Sequence, residues 1–213
     1  LCKISGIRWI RILYCYPEEI TEELIQVMKE EPKICHYLDL PIQHANDTIL
    51  KRMGRRTSKQ ELIDIVQKLR KEIPDICLRT TLITGFPGEM QEQHEEVMEF
   101  IDTLEFDRLG AFTYSPEEDT PAATFEDQID EEVKEDRQEI AFDKAEDMIG
   151  REVFVMIEGK VADENAYVGR TYRDAPNVDG LIFINTDVEL ISGDFAKVKV
   201  TGALDYDLIG ELM

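Results

Sequence analysis

Hydrophobic and polar positions alternate in two distinct rhythms along this chain. "IRWIRILYCY" (Ile7 to Tyr16) is rich in β-branched and aromatic residues and ends at Pro17, which predicts a strand. "PEEITEELIQVMKEE" follows, with Pro at a helix start, acids in the first turn, and Ile20, Leu24 and Val27 on one face. "HYLDLPIQ" (His36 to Gln43) predicts the next strand, stopped by Pro41 and the polar group after it. A short helix, "ANDTILKRMG", takes Asn46 or Asp47 as cap and Gly54 as terminator. Thr57 with Gln60 predicts a capping box for "SKQELIDIVQKLRKEI", which Pro74 closes. "ICLRTTLIT" then reads as a strand, "MQEQHEEVMEFIDTLEF" as a helix and "RLGAFTYS" as a strand. A strand–helix repeat of about 30 residues argues for a parallel sheet with helices outside. Right-handed crossovers then bring the carboxyl ends of the strands to one face.

From Thr124 the rhythm changes. "TFEDQIDEEVKEDRQEIAFDKAEDMIG" predicts one long charged helix with a thin apolar stripe (Ile129, Val133, Ile140) and Gly150 as its stop. After it come short strand patterns at regular spacing with turn residues between: "EVFVMIEGK", "AYVGRTY", "GLIFINT", "DFAKVKVTGAL" and "YDLIGELM". They predict a small all-β barrel or sandwich. The fold class is therefore α/β followed by all-β. The expected organisation is an α/β domain over 1–123, an acidic connecting helix over 124–149 and a β domain over 150–213.

Charge sharpens that division. The formal net charge of the chain is −22. Glu117 to Asp147 holds fourteen acids and three bases, while Gly150 to Met213 holds twelve acids and six bases. The first 116 residues carry fifteen bases against twenty acids. Such a balance repels phosphate backbones, so nucleic acid is disfavoured as a direct target, and it attracts a basic protein partner. No apolar run approaches the roughly 20 residues of a membrane span. The opening Leu1-Cys2-Lys3, with neither initiator Met nor leader, reads as a cut inside a longer protein. Cys2, Cys15, Cys35 and Cys77 stand 13, 20 and 42 positions apart, which is no compact ligand spacing. They read as reduced cysteines of a cytoplasmic protein, and His36, His44 and His94 form no ligand set either.

Ligands of a parallel α/β domain sit at the carboxyl ends of its strands. Three such ends carry marked residues: "LPIQHAND", "TGFPGE" and "FTYSPEEDTPA". Gly85 and Gly88 remove side chains where a flat ligand could press on the backbone, or they serve a tight corner that needs glycine anyway. Gln43 offers donor and acceptor together, as a ribose or amide requires, or is an ordinary surface residue. His44 is a base, a ligand or a polar loop residue. Arg55 and Arg56 could grip a carboxylate in bidentate fashion, or be solvated charges at a helix end.

Taken together, "ILYCYPEEIT", "YLDLPIQHANDTILKRMGR", "LRTTLITGFPGE" and "FTYSPEEDTPAA" resemble, in order and spacing, the radical S-adenosylmethionine methylthiotransferases. "AYVGRTYRDAPNVDGLIFI" and the residues after it resemble the TRAM domain of the branch that modifies a ribosomal protein. The resemblance implies a partial parallel (β/α) TIM-like radical SAM barrel followed by an OB-like TRAM barrel. It implies S-adenosylmethionine as cofactor, with Gln43, Arg55, Thr81, Gly85, Gly88 and Tyr114 at its site; catalytic residues stay unassigned. Two 4Fe–4S clusters are implied for the full-length protein, but the C-x-x-x-C-x-x-C loop that holds one of them is not in this sequence. The chain alone is therefore expected to be inactive. The implied reaction is methylthiolation of the β-carbon of an aspartate in the twelfth small-subunit ribosomal protein, a basic partner met by the acidic TRAM domain. The alternatives are a tRNA-modifying relative and a non-catalytic binding module of the same fold.

Overall fold

The computed structural model describes residues 1–138, 148–162, 164–204 and 207–213. The helical half builds a four-stranded sheet of order β1 (Ile10–Ile12), β2 (Ile34–Asp39), β3 (Cys77–Thr84) and β4 (Arg108–Thr113). The helices between them are α1 (Glu22–Glu30), α2 (Asp47–Arg52), α3 (Lys59–Glu72) and α4 (Gln91–Leu104). The polypeptide divides into two compact units: Ile12–Pro32 with Leu38–Phe142, and Leu1–Arg11 with Lys33–Tyr37 and Asp143–Met213.

In the first unit β3 and β4 run parallel, in register from Arg79 opposite Arg108 to Thr84 opposite Thr113. Leu78, Thr80, Leu82 and Thr84 are buried while Arg79, Thr81 and Ile83 are half-buried, the period-two signature of a strand with unlike faces. Helix α3 buries Leu62, Val66 and Leu69, and α4 buries Val97, Phe100, Ile101 and Leu104. Both are stripes at helical spacing, and burying one such side chain contributes about 1.5–3 kcal/mol.

Local details depart from expectation. Pro17 opens a 3-10 turn over Pro17–Glu19, and α1 starts only after Thr21, whose side chain accepts from the Leu24 amide. The face α1 buries is Ile25 and Met28, whereas Val27 is exposed. The capping box of α3 is Ser58 with Glu61, one residue later than Thr57 with Gln60; Thr57 instead donates to Glu18 at 2.9 Å. Asn46 caps α2 by accepting from the Thr48 and Ile49 amides.

The long helix expected from Thr124 is not continuous. Pro121–Thr124 form a 3-10 turn, residues 125–130 lie outside any helix, and α5 covers Glu131–Gln138 of the described residues. A propensity reading favours helix for so many Glu and Lys residues, but tertiary bonds to residues 125–130 override it here. Ile140, a member of the expected stripe, lies outside the described residues.

The second unit contains a closed barrel of order β5 (Glu152–Lys160), β6 (Ala166–Arg170), β7 (Ile182–Asn185), β9 (Asp207–Leu212) and β8 (Phe195–Leu204). All pairs are antiparallel except β7 with β9. Val153, Val155 and Ile157 alternate inward from β5 to meet Tyr167, Ile182, Ile184, Val198, Val200 and Leu208. Closure removes the exposed edges that a sandwich would keep. The loop "RTYRDAPNVDG" is tied within this unit. Asp174 accepts from the Thr171 amide at 3.0 Å and hydroxyl at 2.6 Å. Asp179 accepts from the Ala175 amide and the Tyr37 hydroxyl, both at 2.8 Å. Arg11 donates to the Tyr172 carbonyl at 2.7 Å.

Candidate nucleoside-binding rim

Gln43, Gly85 and Tyr114 meet at the carboxyl end of β3. The Gln43 amide donates to the Thr81 carbonyl, the Ile83 amide donates to the Gln43 carbonyl, and the Tyr114 amide donates to the Thr84 carbonyl, each at 2.9 Å. Gln43 takes a left-handed φ of 72°, costly for a residue with a side chain and sustained only where surrounding bonds enforce it. Its Oε1 and the Tyr114 Oη are buried with no hydrogen-bond partner among the described residues. Buried polar atoms are nearly always paired, so two orphans on one rim make it a candidate site for a polar ligand. Beside them Ile49, Phe86 and Tyr114 form an apolar cluster, with the rings of Phe86 and Tyr114 edge-to-face at 5.2 Å. An apolar wall with a few convergent polar groups is what a nucleoside needs.

Of the two readings of the glycines, the tight corner that needs glycine is the one the backbone bears out. Gly85 (φ 70°) and Gly88 (φ 81°) do make the turn, but the space a side chain would take is filled by the chain itself. Lys134 of α5 lies where a Gly85 Cβ would stand, 2.3 Å from its Cγ, and Asp127 and Arg52 crowd Gly88. Residues 121–138 thus strap this corner. The Gly88 amide donates to the Asp127 carbonyl at 2.8 Å, and Arg52 grips the Asp127 carboxylate through two bonds of 2.7 Å. Lys134 Nζ donates to the Tyr114 carbonyl at 3.0 Å and to Glu131 at 2.6 Å.

Thr81 and Arg55 are also engaged. Thr81 Oγ1 accepts from Arg79 at 3.0 Å, and Arg79 pairs with Asp39 at the same distance. Arg55 donates to the Pro41 carbonyl at 2.8 Å and stacks 4.8 Å over Tyr16, bracing the loop that leads to Gln43. Of the residues expected at the site, Gln43 and Tyr114 carry unpartnered buried polar atoms. Gly85, Gly88 and Arg55 shape the rim, and Thr81 lies below it on β3.

Sequence reasoning missed a buried charge cluster behind the rim. The Glu89 side chain is fully buried; its Oε2 accepts from the Gly85 amide at 2.8 Å and the Phe86 amide at 3.3 Å. Its Oε1 accepts from Arg137 at 3.1 Å. Burial pushes the Glu89 carboxyl up, but the His44 imidazole, the Arg137 guanidinium and the Gly85 amide outweigh it and hold it below the usual value. Burial depresses His94, against the opposing pull of Glu89. The available signals were His44, already marked as a base or ligand, and Lys134 and Arg137, two bases three apart in a mostly acidic run. Burial also pushes the Cys15 and Cys35 thiols up, away from thiolate chemistry. Among the described residues no group of three or more His, Cys, Asp or Glu is placed to hold a metal ion.

Residues 1–101 match the Radical SAM superfamily, and residues 149–213 match the TRAM domain. The chain thus pairs an α/β segment that matches the Radical SAM superfamily model with a β-barrel that matches the TRAM model. Over nearly its whole length it is similar to proteins named ribosomal protein uS12 methylthiotransferase RimO. The one from Lachnoclostridium phytofermentans is 62% identical across 99% of this chain and 50% of that protein. That from Desulfitobacterium hafniense is 49% identical, across 100% of this chain and 49% of that protein. The chain spans about half the length of the curated relatives it matches. Among solved structures, coproporphyrinogen III oxidase (HemN) from Escherichia coli, a radical SAM enzyme, superposes with a TM-score of 0.52 at 21% identity. It covers 61% of this chain and 30% of that one, a likeness of fold.

Proposed function

We propose that this chain forms the cofactor rim and TRAM domain of a cytoplasmic radical S-adenosylmethionine methylthiotransferase. Its substrate is the β-carbon of an aspartate in ribosomal protein uS12. The observation that carries the reading is the pair of unpartnered buried atoms, Gln43 Oε1 and Tyr114 Oη, on a parallel strand-end rim. Both fit the hydroxyls and amine of an adenosine, with Phe86 and Ile49 as apolar wall. When bound, and given one electron from a reduced cluster held by residues outside this chain, S-adenosylmethionine would supply a carbon-centred radical able to take a hydrogen atom from an unactivated carbon. The residues of this chain hold and orient the nucleoside and keep water from its apolar side.

The implied 4Fe–4S clusters do not fit the residues present. Cys35 and Cys77 are buried, and the four cysteines do not converge as a three-thiolate set. Cluster ligands therefore belong to residues outside this chain, and the two-cluster expectation rests on the family resemblance. The barrel region, with twelve acids against six bases, favours a basic protein over RNA as partner. Among the described residues no helix is long and apolar enough to cross a membrane.

The test is an anaerobic reaction of the full-length, cluster-loaded protein with S-adenosylmethionine, reductant and either uS12 or tRNA. The expected result is 5′-deoxyadenosine together with a methylthio mass increment on one aspartate of uS12. Modification of tRNA instead would overturn the substrate assignment, and no 5′-deoxyadenosine with either would overturn the cofactor.

A further inference from the structure

His44, immediately after Gln43, is 1% exposed. Its Nδ1 accepts a hydrogen bond from the Asn46 amide at 2.9 Å, which places a ring proton on Nε2. That Nε2 has no hydrogen-bond partner among the described residues and lies 3.7 Å from Glu89 Oε2, a charge contact longer than a hydrogen bond. Glu89 in turn is fixed by the amides of Gly85 and Phe86 and by Arg137, while His94 approaches its other oxygen at 3.7 Å. One carboxylate thus gathers the loop after β2, the turn after β3, α4 and α5. Two of these, the Gln43 loop and the Gly85 turn, are the rim itself.

We infer that Glu89 and His44 are positioning residues of the rim: the buried carboxylate, facing the Nε2 proton of His44, holds Gln43 in its left-handed conformation with Oε1 turned toward the nucleoside. The inference rests on the cofactor reading above and deepens it. The left-handed backbone of Gln43 stores strain, and strain persists only while neighbouring groups over-determine it. Two ladder bonds fix Gln43 on one side, and the His44–Glu89 contact anchors the next residue in a buried site where charge interactions are strong. Neither residue touches the ligand.

Glu89→Gln would strand the buried Arg137 guanidinium, so the decisive variants are made at positions 43 and 44. His44→Gln keeps an N–H at the Nε2 position, His44→Asn keeps only an acceptor for the Asn46 amide, and His44→Phe keeps neither. The readout is the dissociation constant of S-adenosylhomocysteine for the full-length, cluster-loaded protein, measured by calorimetry, with melting temperature recorded alongside. The expected result is wild-type-like binding for His44→Gln and a loss of about tenfold for both His44→Asn and His44→Phe. In a Gln43→Ala background, His44→Phe should cost nothing further, because it acts through Gln43. The inference is overturned if His44→Gln binds as poorly as His44→Phe, or if the Gln43 and His44 losses simply multiply. Wild-type protein that fails to bind the probe overturns the cofactor reading on which the inference stands, an outcome distinct from additive losses in a protein that binds.

Discussion

A methyl group added at Gly85 would lie 2.3 Å from Lys134 Cγ, on a backbone with φ of 70°. At Gly88 the obstructing atoms are the ends of Arg52 and Asp127, side chains exposed enough to swing aside. Both substitutions incur the left-handed penalty of about 1–2 kcal/mol, but only Gly85→Ala must also displace a fully buried side chain. Gly85→Ala is expected to destabilise the chain by about 3 kcal/mol and Gly88→Ala by about 1–2 kcal/mol, measured by urea unfolding. Equal costs would mean that Lys134 yields freely. Both glycines were legible in the sequence as special positions. What fills the space beside them was not, because Lys134 lies 49 positions away from Gly85 in a segment whose composition suggests a solvated helix. Arg55 was expected to grip a carboxylate or to stand as a solvated charge at a helix end, whereas its partner is the Pro41 carbonyl.

Helices α4 and α5 meet the Gly85 turn through charge. His94 and Arg137 approach one oxygen of Glu89, while His44 and the Gly85 and Phe86 amides approach the other. Two groups in this cluster have ionisation displaced downward in the folded protein, which fixes the direction of the pH response. For His94, lowered from 6.5, the stabilising effect is complete above that value and is lost as pH falls through the folded value. For Glu89, lowered from 4.5, the same loss follows at more acid pH. The urea midpoint should therefore decline in two stages on acidification, and His94→Gln should abolish the first stage while leaving the second. A single decline shared by wild type and His94→Gln would show that His94 does not titrate as its burial dictates. At this scale the strands and main helices could be read from periodicity. Helix ends slipped where two candidate caps adjoined, as at Thr57 and Ser58, since composition alone does not choose between neighbouring hydroxyls.

The whole chain carries a net charge of −22, and much of it falls where residues are exposed. Exposed pairs such as Lys29–Glu72 and Lys197–Glu152 contribute little to stability, and that little weakens with salt. Repulsion among unmatched carboxylates also weakens with salt and, at this imbalance, is the larger effect. Adding sodium chloride from low ionic strength to about 0.15 M, where the Debye length falls to about 8 Å, should raise the melting temperature. A fall would show that local pairs outweigh the overall field. The change of rhythm near residue 124 announced a parallel α/β segment and then a β domain, and both are present. Periodicity alone left barrel and sandwich open, because closure depends on which strands pair and the β7–β9 pair skips over β8 in the sequence. It was the resemblance to a TRAM domain that implied the barrel, and the barrel is closed.

That skipped pairing has a consequence during synthesis. Strand β9 lies between β7 and β8, so a nascent chain that has emerged only through Leu204 holds two strands whose future neighbour has not yet been made. Translation must finish β9 before the ring can shut, and a pause in that interval leaves both strands open to a chaperone or to another polysome-borne copy.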